Sequence, residues 1–237
     1  MKVAISVGHG KYVTGASGIV SEVTEAIKVV GRVTEILKAS AGVSVTSFYD
    51  ETSRNQSDNI AQIVKFHNQL GAELNVSVHF NSFDPATGYV QMNGYKQVPG
   101  AMGVEVLYKT SEPLATKLST AIANASGLKN RGAKYRDNLG FLNQVKNQAV
   151  LIEVCFVNSV ADVASYNKHF EQICQSIAVG LGAVINPQPE AEVAISQLHQ
   201  RGIINDPAYW VGAIQADKLP HLGQLMINMA KYVGVNN

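Results

Sequence analysis

Apolar positions along the chain alternate between two rhythms. Residues 2–7 form a short β-branched run that stops at Gly8-His9-Gly10, the pattern of a first strand ending in a sharp turn. After a loop rich in Gly, Ser and Thr the spacing changes. Ile27, Val30, Val33, Ile36 and Leu37 recur every three or four residues and predict a helix from Ser21 to about residue 39. Residues 43–48 return to strand character, and 58–70 carry Ile60, Ile63, Val64 and Leu70 at helical spacing. Residues 73–79, 103–108 and 149–156 read as further strands, with 112–125 and 160–184 as further helices. Strands interleaved with helices predict an α/β fold, a mostly parallel twisted sheet flanked by helices. Residues 81–99 read as a long polar loop, whose Tyr89, Asn93, Tyr95 and Gln97 suit sugar hydroxyls and peptide amides.

Asn186-Pro187-Gln188-Pro189-Glu190 is a stiff polar break, because two prolines discourage a helix or strand from passing through. It divides the chain into a domain at 1–185, a linker at 186–191 and a module at 192–237. Leu222, Leu225, Met226, Met229 and Tyr232 at helical spacing, and Pro207 as a helix start, make that module about three short helices. Tyr209 and Trp210 read as its core anchors, since so short a bundle needs aromatic bulk.

Composition narrows the function classes. Against 18 Asp and Glu the chain has 19 Lys and Arg, a net charge of +1, which offers no basic field for nucleic acid. The apolar run of residues 2–7 is interrupted at Gly8 before a signal-peptide core forms. The stretch at 149–157 falls far short of the ~20 apolar residues of a membrane helix, so a soluble protein without membrane insertion is expected. Cys155 and Cys174 have no ligand or staple spacing and read as reduced core thiols, Cys155 sharing a strand face with Glu153. His67, His169, His199 and His221 lie on or near predicted helices and read as packing or solvated residues.

Four residues are harder to absorb into a fold. His9 follows the first strand, Glu22 opens a helix, His79 ends a strand, and Glu153 sits within the most apolar strand. Sites in open α/β sheets form beyond strand carboxyl ends, where His9 and His79 can converge. Two imidazoles and a carboxylate leave one position of a tetrahedral zinc ion open, the arrangement of hydrolytic zinc. A carboxyl outside the ligand set, its pKa raised by burial, then serves as acid and base, and Glu153 fits. Each residue has a plain structural reading, Glu22 above all, because helix N-termini favour acidic residues.

In order and spacing, Val7-Gly8-His9-Gly10, Gly18 with Glu22, the segment from Ser77 to Ser82 and the segment from Ala149 to Glu153 resemble one family. It is the amidase-3 family of zinc N-acetylmuramoyl-L-alanine amidases, and the resemblance covers about residues 1–185. It implies one Zn²⁺ held by His9, Glu22 and His79, Glu153 as the catalytic residue, and bacterial peptidoglycan as the partner. Asn130-Arg131-Gly132 is similar to the family's NRG element, and Asn81, Tyr95 and Arg131 are candidate substrate contacts. Ser6-Val7 before the first His and Phe80 after the second depart from the usual pattern without removing a ligand.

The activity expected is hydrolysis of the amide joining the lactyl group of N-acetylmuramic acid to L-alanine, leading to cell-wall lysis. The absence of an export signal and the short tail resemble a phage or prophage endolysin, made in the host cytoplasm and acting on the wall after release. A bacterial autolysin is the other origin. The tail is then a wall-binding element or a homodimer contact. Two rivals are a zinc peptidase acting on wall peptides and a non-catalytic wall-binding protein. Against the first, neither His9 nor His79 has a Glu three residues later; against the second stands the retention of Glu153.

Overall fold

A computed structural model describes residues 1–92, 94–184, 188–215 and 222–232. The chain divides into two compact units, Met1–Val184 and Ile185–Asn237. The first runs β1 (Lys2–Val7), α1 (Glu22–Ala39), β2 (Ser44–Phe48), α2 (Gln56–Leu70), β3 (Leu74–Asn81), β4 (Val90–Met92) and β5 (Tyr95–Gln97). It continues with β6 (Val104–Tyr108), α3 (Glu112–Ser126), β7 (Asn130–Tyr135), α4 (Gly140–Gln144), β8 (Gln148–Phe156), α5 (Val160–Lys168) and α6 (Phe170–Gly180). The second contains α7 (Gln188–Gln200), α8 (Pro207–Gln215) and α9 (Leu222–Tyr232).

Six strands form one sheet in the order β2-β1-β3-β8-β6-β7. Neighbours are parallel except β6 and β8, so β6 and β7 run opposite to the rest. The ends of β1, β3 and β8 therefore share a sheet edge with the beginnings of β6 and β7. One face packs Ile5, Val78, Val106 and Ile152 against α1, α3 and α6, through side chains such as Val33, Leu118 and Ile177. The other packs Leu107 and Leu151 against Ile63 and Val64 of α2 and Phe141 of α4. Covering both faces leaves β8 no polar side except at its end, which explains its near-continuous apolar run. Burying each aliphatic side chain contributes about 1.5–3 kcal/mol.

Under α2 that second face carries a polar cluster. His67 is 1% exposed and bonds Asn75 Oδ1 through Nδ1 at 3.0 Å and Ser6 Oγ through Nε2 at 3.0 Å. Burial pulls its pKa from 6.5 down to about 4, with the Asn75 bond opposing. Above pH 6.5 native and unfolded chains both hold it neutral, and its contribution to stability is complete. As pH falls from 6.5 toward 4 only the unfolded chain takes the proton, so stability declines, by about 3 kcal/mol in all. Denaturant midpoints measured across that window should show a steeper acid limb for wild type than for His67→Gln; parallel limbs would refute the assignment.

Several elements differ from the sequence expectation. The loop at 81–99 contains an antiparallel hairpin of β4 and β5, while Asn93 lies outside the described residues. The helix expected over 160–184 breaks at His169 into α5 and α6, with no Gly or Pro to mark it. β7 and α4 were absent from the pattern because their residues are mostly half-exposed or polar. Where β3 pairs with β8 the register shifts, from His79 opposite Glu153 to Asn81 opposite Phe156. The extra residue turns Cys155 into the cluster of Val150, Ile152 and Val154, away from the face that alternation assigned it.

In the second unit α7 begins at Gln188, inside the stretch read as a linker. Pro189 falls in its first turn, where a missing N–H costs no helix bond. Asn186, Pro187 and His221 lie outside the described residues. Ile195, Leu198, Ile204, Met226, Ile227 and Ala230 form the core, with Trp210 and Met229 packed against it. Tyr209, Leu225 and Tyr232, which the pattern placed inside, are exposed.

Candidate metal centre and active site

β1 ends at Val7, and Gly8 N–H still donates to Val78 O of β3 at 2.9 Å, so the chain turns only at His9. Close approach requires glycine at position 8, since a Cβ there would lie 1.9 Å from His79 Nε2. His79, near the end of β3, and Glu22, at the start of α1, complete the group. Glu22 Oε1 lies 3.2 Å from His9 Nε2 and 3.0 Å from His79 Nδ1. Phe80 N–H donates to the same oxygen at 3.2 Å, and Ala16 N–H donates to Oε2 at 2.7 Å. The imidazoles meet edge to face with centroids 4.9 Å apart.

Burial pushes the Glu22 carboxyl up, but hydrogen bonds from His79 and His9 more than offset this and hold it well below the usual carboxylate range. Burial pushes His79 down, with Glu22 opposing, which favours the neutral imidazole that a metal requires. One ligand atom from each of His9, Glu22 and His79 lies within 4.8 Å of the others. Among the described residues His9 Nδ1 is buried without a partner, and Nε2, 3.2 Å from Glu22 Oε1, is its engaged nitrogen. This donor set, two imidazoles and one carboxylate converging at a strand-end edge, fits a zinc ion.

Glu153 pairs with His79 across β3 and β8 and has a buried Oε2 without a hydrogen-bond partner among the described residues. Burial, with smaller pushes from the Glu22 and Glu105 charges, raises its carboxyl to about 8. Directly opposite on β6 stands Glu105, 5% exposed, which the sequence pattern missed. Asn81 and Arg131 both turn to it: Asn81 Nδ2 donates to Oε1 at 3.0 Å and Arg131 Nε to Oε2 at 2.7 Å. Tyr95 stands apart, exposed on β5, beside Ser17, Ser82, Phe83 and Gln91 along an open groove of about 350 Å³. Asn158, just past β8, pins the hairpin by donating to Phe83 O and Lys96 O and accepting from Phe83 N–H. Asp162 holds the approach to β6 through Met102 and Gly103 N–H at 2.9 and 2.7 Å.

Residues 3–183 match the Amidase_3 family, N-acetylmuramoyl-L-alanine amidase. The chain belongs to that family. Among solved structures, this Amidase_3 member resembles the catalytic domain of the CD27L endolysin targeting Clostridia difficile. That match is 26% identical with a TM-score of 0.63, covering 78% of this chain and 99% of that one. The catalytic domain of CwlV, an N-acetylmuramoyl-L-alanine amidase of Bacillus (Paenibacillus) polymyxa var. colistinus, is 27% identical with a TM-score of 0.62. It covers 76% of this chain and 95% of that one. An uncharacterised protein of Clostridium perfringens strain 13 is 29% identical over 172 residues, and a 38.4 kDa protein of the same species is 29% identical over 196. These matches cover 71% and 81% of this chain, which spans about half the length of the relatives, 47% and 54%. The α/β architecture expected from the pattern is the family's own. Among the described residues no helix is long and apolar enough to cross a membrane.

Proposed function

We propose that the chain hydrolyses the amide between the lactyl group of N-acetylmuramic acid and the L-alanine of the peptidoglycan stem. His9, Glu22 and His79 would hold one zinc ion, and Glu153 is the catalytic carboxylate. The carrying observation is the placement of a buried Glu153 oxygen, unpartnered among the described residues, opposite His79, whose imidazole converges with that of His9 on the Glu22 carboxylate. When bound, zinc supplies Lewis acidity toward the scissile carbonyl and toward water. Glu153 takes a proton from the attacking water and returns it to the alanine nitrogen as the C–N bond breaks. Burial of the carboxyl supports this double role, because it brings the two protonation states close in energy near neutral pH. Ala16 and Phe80 N–H fix Glu22 so that it does not compete for that proton.

The groove along Tyr95 adjoins this centre through Ser17, next to Ala16, and is assigned to the polymer flanking the cut bond. Resemblance to an endolysin domain supports a phage or prophage lysin that reaches the wall after release. Tyr209, Leu225 and Tyr232, left exposed, support wall contact or self-association by residues 192–237. Purified peptidoglycan treated with the full chain should release L-alanine amino groups, and a chelator should stop the release until zinc is restored. No release with zinc present would sink the amidase reading; release indifferent to the chelator would sink the metal.

A further inference from the structure

Asn130-Arg131-Gly132 builds an irregularity with a purpose. β6 and β7 pair Val104 with Asn130 and then Glu105 with Gly132, so Arg131 is the extra residue of a bulge. Gly132 takes φ +79, and its N–H donates to Asn130 Oδ1 at 2.8 Å, closing the turn that forms the bulge. A bulge re-aims its side chain, and here Arg131 is drawn back onto Glu105, with its guanidinium 5.1 Å from the Phe156 ring centroid. Nε is occupied by Glu105. The two terminal nitrogens have no hydrogen-bond partner among the described residues, and the side chain is 32% exposed. Glu105 in turn is held on its other oxygen by Asn81, so the fork is fixed before any ligand arrives.

We infer that Arg131 is a specificity residue that binds a free carboxylate of the stem peptide, one residue beyond the bond that is cut. The identity of this ligand rests on the amidase reading; the presence of a carboxylate site does not. The placement fits. Glu105 lies one strand from Glu153, about 5 Å, and an extended peptide advances about 3.5 Å per residue. A stem whose first amide sits at Glu153 brings the next residue to Arg131. That residue is D-glutamate linked through its side chain, so its α-carboxyl is either free or amidated. Paired terminal nitrogens of an arginine engage a planar carboxylate in two parallel bonds and gain less from an amide.

The test uses the full chain carrying Glu153→Gln, so that ligands are not turned over. Its affinity for N-acetylmuramoyl-L-alanyl-D-glutamate and for the D-isoglutamine form is measured by calorimetry. The acid should bind about tenfold tighter than the amide, the usual worth of one charge-assisted hydrogen bond. Adding Arg131→Gln should reduce the preference to about twofold or less, and Arg131→Lys should restore only part of it, since lysine lacks the fork. A merely structural role would weaken both ligands alike and leave the ratio unchanged. Equal affinities in the Arg131 protein, no binding of either ligand, or a ratio that survives Arg131→Gln would overturn the assignment. Wild-type turnover of the same compounds tests the other reading independently: absent turnover with the preference intact sinks the amidase and keeps the carboxylate site.

Discussion

Glu153→Gln should lower amide hydrolysis about 10³-fold while leaving zinc affinity and thermal stability close to wild type. The converging ligand atoms come from His9, Glu22 and His79, and among the described residues Glu153 Oε2 has no hydrogen-bond partner to lose. Glutamine has the same shape, so the packing around position 153 is kept. What the amide cannot do is accept the proton of the attacking water and pass it to the leaving nitrogen. Rate, metal content and melting temperature together make the prediction specific. A variant that loses zinc would make Glu153 a ligand. One that melts many degrees lower would make it a structural carboxyl, and one that keeps its rate would remove it from the chemistry.

Much of this site was legible because its parts sit where pattern changes. His9, Glu22 and His79 stand at the boundaries of elements whose apolar spacing is strong, and a polar residue there is conspicuous. Glu153 was conspicuous for the opposite reason, a carboxyl inside the most apolar strand. The structure brings the first three within ligand distance and sets the fourth beside His79. Glu105 escaped notice because finding it requires the strand order. It opens β6, and only the reversal of β6 against β8 carries the start of that strand to the edge where β3 ends. Residues 130–135 hid for a related reason: β7 is an edge strand with one neighbour, and its half-exposed side chains carry no apolar alternation. Asn81 and Arg131, expected as substrate contacts, are joined through Glu105, and neither partner follows from sequence spacing. The break at His169 was invisible because the apolar period runs through it.

Gly8→Ala should cost at least about 10²-fold in activity and tens-fold in zinc affinity, although it adds one methyl group and changes no ligand. Its Cβ would lie 1.9, 2.2 and 2.3 Å from three atoms of the His79 ring, far inside contact distance. The ring must rotate or the strand must shift, since Gly8 N–H is held by Val78 O on the strand that carries His79. Either movement takes Nδ1 away from the point where it meets Glu22, and a displacement of about 1 Å at a reacting centre is enough for a loss of this size. Gly31→Ala is the matched control. That glycine lies within α1 with nothing within 4 Å of an added Cβ, so the change should raise stability by about 1 kcal/mol and leave zinc binding alone. Competition for zinc against a coloured chelator, run on both variants beside the wild type, separates the cases. Equal zinc affinity in Gly8→Ala would mean that the His79 ring does not hold the metal in the orientation described, and His79 would have to leave the ligand set.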